Sequence, residues 1–105
     1  MRVKAWKSGT FEKPSTAYGI RIGKENRQRY FQQGWTSITI EIEDGAVIEA
    51  LLTPGFWREC PEVRHPAFLD WFNSKDLIRW PAGRPPIFEL KPVSEKRFKL
   101  EYAAP

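Results

Sequence analysis

The chain of 105 residues carries a net charge of +4, 41% hydrophobic residues, five Trp, seven Phe and three Tyr. That is enough apolar mass for one folded core and more than a disordered segment of similar charge holds. The single cysteine, Cys60, excludes an internal disulfide framework and a cysteine-based zinc site. The basic start has no apolar run and no window nears the roughly 18 apolar residues of a membrane span, so a single cytoplasmic domain over residues 1–105 is expected.

Charge is unevenly placed along that domain. Residues 1–29 hold eight Lys or Arg against two acids, residues 30–80 hold four against eight, and residues 81–105 five against three. Residues 1–17 mix this charge with Trp6, Phe11 and Pro14 and read as a partly docked arm or an edge strand. In "AYGIRIG", Tyr18, Ile20 and Ile22 alternate with Gly19 and Arg21, the period of a half-buried strand whose polar face is basic. Helix formers then run from Lys24 to Gln33, with Gly34 where a C-terminal cap belongs.

The alternation of Ile38, Ile40 and Ile42 with Ser37, Thr39, Glu41 and Glu43 predicts a strand with one wet face. Asp44-Gly45 predicts a type I′ hairpin turn, and the more apolar "AVIEALLT" that returns from it reads as the more central strand. "PGFWRECPEVR" breaks regular structure at Pro54, Gly55 and Pro61. Pro66 then starts a helix over roughly residues 66–75, with His65 as its cap, Phe68, Leu69 and Phe72 on one side and Trp71 beside them, a stripe expected to cap one end of the sheet. Strands follow near Ile87–Leu90 and over "RFKLEY", separated by the turn "SEK". The fold class is therefore β-rich α+β: a small barrel or pseudobarrel of short, mostly antiparallel strands with two short helices.

Motifs for catalysis are sparse. Cys60 and His65 are the one possible thiol and base, and sequence locates no third group to orient them. Glu41 and Glu43 sit about 7 Å apart on one strand face, a spacing that suits paired carboxylates but that a solvated face explains as well. "GIRIGKEN" lacks the spacing of a phosphate-binding loop, no ligand set for a metal is present, and no cofactor is expected.

The order of elements, with "IRIGKENRQRYF" and "LIRWPAGRPPIFEL" (residues 77–90), resembles the pseudobarrel DNA-binding domain of plant transcription factors, the B-three domain, and the related effector domain of some restriction endonucleases. This chain has Gly83-Arg84 where that family has Gly-Asp, and Gly23-Lys24 where it has Pro-Lys. "IRIGKENRQRYFQQGWTSITIEIEDGAVI" also resembles the swapped-hairpin transcriptional regulators, over about half the chain. Both resemblances imply a nucleic-acid partner. The expectation is that Arg21, Lys24, Arg27 and Arg29 gather on one groove against phosphates, with Trp57 and Arg58 on the irregular segment as a second arm. The alternative is a non-catalytic protein-interaction module with Trp6, Phe11, Phe56 and Trp57 exposed for a partner protein.

Overall fold

The structure is a computed structural model that describes residues 1–8 and 17–103. The isoleucine alternation settles the strand β3 below: Ile38, Ile40 and Ile42 are buried while the residues between them are half-exposed. In chain order the elements are β1 (Arg2–Lys7), β2 (Tyr18–Arg21), α1 (Lys24–Tyr30), β3 (Ser37–Ile42), β4 (Val47–Leu51), α2 (Pro54–Arg58), β5 (Glu62–Arg64), α3 (Pro66–Ser74), β6 (Ile87–Ser94) and β7 (Arg97–Tyr102). The seven strands form one sheet in the order β4-β3-β7-β6-β1-β2-β5. Every pairing is antiparallel except β3 with β7, which run parallel. The two outermost strands, β4 and β5, curl to within 8 Å of each other between Cα atoms but share no ladder, so the barrel is nearly closed.

Two strand expectations are overturned. Residues 2–7 are no edge: β1 lies between β6 and β2, with Val3 and Ala5 buried and Val3 opposite Phe88. The small apolar residues at alternate positions suffice for this, because they face a core already filled by rings. Residues 9–16, with Phe11 and Pro14 of the expected arm, lie outside the described residues. Conversely β4 is an edge and not the more central strand, since only Ile48 and Ala50 turn inward while Val47 and Leu51 are 57% and 67% exposed. The hairpin forms at Asp44-Gly45 but not with a type I′ turn. Gly45 N–H donates to Ile42 O and Ile42 N–H to Ala46 O, which encloses a three-residue loop with only Gly45 at positive φ. Asp44 keeps ordinary φ because its carboxylate accepts from Ala46 N–H at 2.9 Å.

The helices also depart from the sequence pattern. α1 stops at Tyr30, well before Gly34, because Phe31 turns extended and enters the core. There its ring stacks on Phe98 at 5.2 Å, tilts against Phe56 and meets Trp35 edge-on. Gly34 serves a later turn at φ +101°. "PGFWREC" is not irregular: Thr53 Oγ1 accepts from Phe56 N–H at 3.2 Å and Pro54 occupies the first helical position, which is all a one-turn helix needs. "EVR" then adds β5, so the sheet has seven strands and three helices accompany it. α3 begins as predicted, with His65 Nδ1 accepting from Ala67 N–H at 3.0 Å.

α3 buries Phe68, Trp71 and Phe72 completely, against Phe88 of β6 at 4.9 Å from Trp71 and 5.4 Å from Phe72. Each such ring contributes roughly 1.5–3 kcal/mol by leaving water. No helix among the described residues is long and apolar enough to cross a membrane.

Candidate nucleic-acid interface

Alternation on β1 does two jobs. While Val3 and Ala5 point into the core, Arg2, Lys4 and Trp6 lie on the outer face of the sheet. Register then fixes their neighbours: Lys4 is opposite Arg21 of β2, and Trp6 is opposite Gly19, which is in turn opposite Arg64 of β5. Because Gly19 puts no side chain between them, the Arg64 guanidinium reaches across β2 and stacks on the Trp6 indole, 4.3 Å from its centroid. Lys7 Nζ lies 4.6 Å from the centroid of Trp80, in the segment that precedes β6. Exposed cation–π pairs of this kind contribute about 0.5–1 kcal/mol each and hold the rings in place.

Three adjoining depressions follow from this placement. The first lies between Trp6 and Trp80 and is edged by Lys4, Lys7 and Arg21. The second is lined by Arg2, Lys4, Arg21, Lys24 and Glu25. The third holds Lys24, Arg27 and Trp57 beside Gln28 and Gln33. Lys4 and Arg21 are common to the first two, and Lys24 to the last two, so the three make one track. Six cations and three indoles line it, and among the described residues Glu25 is its one carboxylate. Positive side chains so closely set raise the local concentration of a polyanion and release its counterions on contact.

The residues expected from sequence are divided by the fold. Arg21, Lys24 and Arg27 lie on the track together with Trp57. Arg21 also stands 3.8 Å from Glu62, but its side chain is 54% exposed, so the pair is screened and contributes at most about 1 kcal/mol. Arg27 Nη1 donates to Phe56 O at 2.6 Å and thereby ties α1 to α2. Arg29 lines none of the three depressions and is paired with Glu25 one turn back along α1 at 3.8 Å. Arg58 is exposed at the C-terminal end of α2, a helical turn and not an irregular arm. Trp57 is half-buried, with its Nε1–H donated to Trp35 O at 3.3 Å, so it is as much a packing residue as a contact surface.

Arg2, Lys4, Lys7, Arg64, Trp6 and Trp80 complete the basic face and were not predicted for it. The signal was present in "RVKAWK", whose alternation is that of a strand with a cationic outer face. Of the aromatics expected to be exposed, Phe56 is buried and Phe11 lies outside the described residues.

The catalytic candidates find other employment. Glu41 pairs with Arg97 at 3.2 Å, and Glu43 pairs with Lys75 at 3.5 Å and accepts from Tyr102 N–H. His65 spends Nδ1 on its helix, and the exposed Cys60 lines the same groove as His65, together with Glu49, Glu59 and Glu62. Among the described residues no group of three His, Cys, Asp or Glu could hold a metal ion.

The nearly closed seven-stranded sheet with short helices is a barrel of the general kind to which pseudobarrels belong. No protein family, no curated protein and no solved structure matches this chain.

Proposed function

We propose that the protein binds nucleic acid, DNA in the first instance, along the track that runs from Trp80 past Trp6, Lys4, Arg21 and Lys24 to Trp57. The observation that carries this reading is the run of six cations, Arg2, Lys4, Lys7, Arg21, Lys24 and Arg27, on adjoining depressions with a single carboxylate among them. Indoles interleaved with cations suit a ligand that has both phosphates and flat bases. The order of elements supports the finer reading of a DNA-binding pseudobarrel of the B-three kind, since a strand leading into a short helix, a hairpin and a closing strand pair occur here in the same sequence.

Fluorescence anisotropy with a labelled duplex at two salt concentrations tests the proposal. If all six cations meet phosphates, log K falls against log salt with a slope of about −5. Lys4→Ala and Lys24→Ala each reduce that slope by about one and weaken binding to all sequences alike. Absence of binding to any nucleic acid, or binding indifferent to salt, removes the reading.

A second reading rests on a separate observation. The free edge of β4 exposes Val47 and Leu51, and an unpaired apolar edge is a template for a partner strand. A light-scattering mass that stays monomeric at the highest soluble concentration, with no partner protein retained, dismisses it.

A further inference from the structure

We infer that the first depression of the track, between Trp6 and Trp80, takes the unpaired bases of a single-stranded nucleic acid by stacking, an inference that rests on the nucleic-acid reading above and names the form of ligand. Both indoles line this depression, together with Ala5, Gly83 and Pro85. Among the described residues no carboxylate lines it, and Lys4, Lys7 and Arg21 stand at its rim. Indole faces with cations beside them are the pairing that holds a base and its phosphate together.

Both rings are held before any ligand arrives. Arg64 stacks on Trp6 from outside the depression. Trp80 is fixed by Lys7 and by an edge contact with Phe72, which is itself fully buried, at 6.5 Å between centroids. A stacking platform fixed in this way loses little conformational entropy on binding. Bases in a duplex are already stacked on their neighbours and offer an indole only an edge or a terminal face. A platform made by the Trp6 indole on the outer face of the sheet with Trp80 beside it is therefore useful to a splayed strand and idle against a duplex, which can touch only the surrounding cations.

The test uses the full chain and three end-labelled probes followed by anisotropy: a short oligothymidylate, an oligouridylate of equal length, and a DNA duplex of equal length. The expected result is that at least one single strand binds about tenfold or more tightly than the duplex. Trp80→Ala and Trp6→Ala should each weaken the single strand by about tenfold, the effect of one lost base–aromatic stack, and leave the salt slope unchanged. Preference for oligothymidylate or oligouridylate identifies the sugar. Both indoles are half-buried but Trp80 also packs on the core, so Trp6→Ala is the deciding variant, and its circular dichroism and melting temperature should stay close to those of the parent. A duplex bound as tightly as the tighter of the two single strands, or single-strand affinity untouched by Trp6→Ala, overturns the inference and leaves the broader reading standing. If all three probes fail to bind, the broader reading fails with it.

Discussion

Gly19 sits in β2 between two strands, opposite Trp6 on one side and Arg64 on the other, and a methyl group placed on it has nowhere to go. The added Cβ of Gly19→Ala would stand 2.1 Å from Val63 O, 3.0 Å from Val63 C and 3.2 Å from Arg64 Cα. All three are backbone atoms, so no rotamer change relieves the contact. β5 must retreat by about 1 Å before the closest contact becomes tolerable, which lengthens ladder hydrogen bonds from about 2.9 Å to nearly 4 Å and in effect breaks them. β5 has three paired residues and one further bond, Ile22 N–H to Pro61 O at 2.8 Å. Loss of two of these bonds at about 1 kcal/mol each, with about 1–3 kcal/mol for overpacking, predicts a destabilisation of about 3–5 kcal/mol. For a domain of this size that lowers the melting temperature by at least about 12 °C. Gly45→Ala is the comparison: its added Cβ meets nothing within 4 Å, and only the positive φ of 100° opposes it, a cost of about 1–2 kcal/mol. Urea titrations followed by far-ultraviolet circular dichroism measure both. If Gly19→Ala is as stable as the parent within about 0.5 kcal/mol, or less harmful than Gly45→Ala, the close approach of β5 to β2 is not as described.

Trp71 is fully buried in α3 and its Nε1–H has no partner among the described residues. Trp71→Phe removes that unsatisfied donor along with some ring volume, so the two effects oppose each other and unfolding free energy should change by less than about 1.5 kcal/mol, whereas Trp71→Ala costs about 3–5 kcal/mol. Leu51→Lys on the β4 edge should leave stability within about 0.5 kcal/mol, since the side chain is 67% exposed, and should abolish any concentration-dependent association seen by light scattering.

What sequence made legible follows from how local each cause is. The β3–β4 hairpin and the start of α3 could be read because alternation, Asp-Gly and a His-Pro cap act over a few residues. The early end of α1 could not, because it is decided by the ring of Phe98, far along the chain. The same holds for β4, whose apolar composition suggested the interior although it pairs only with β3 and merely approaches β5 without a ladder. At the candidate site Arg21, Lys24 and Arg27 were reachable from a count of charges next to a strand and helix, whereas Trp57 was expected on an irregular segment that is in fact the helical turn α2. Trp6, Arg64 and Trp80 were not, since they meet only through a glycine in a strand between them and a loop that returns beside β1.

The order of strands also bears on how the chain comes to be assembled. β6 and β7 stand at the middle of the sheet and join β4-β3 to β1-β2-β5, yet they are the last strands in sequence. During synthesis the residues of both flanking groups of strands emerge before the pair that joins them. At about 5–20 residues per second the joining hairpin emerges roughly 4–17 seconds after β1. Through that interval the isoleucine faces of β2 and β3 lack the central strand pair that completes their cover, so a chain truncated before β6 is expected to be recovered in lower soluble yield than the full chain.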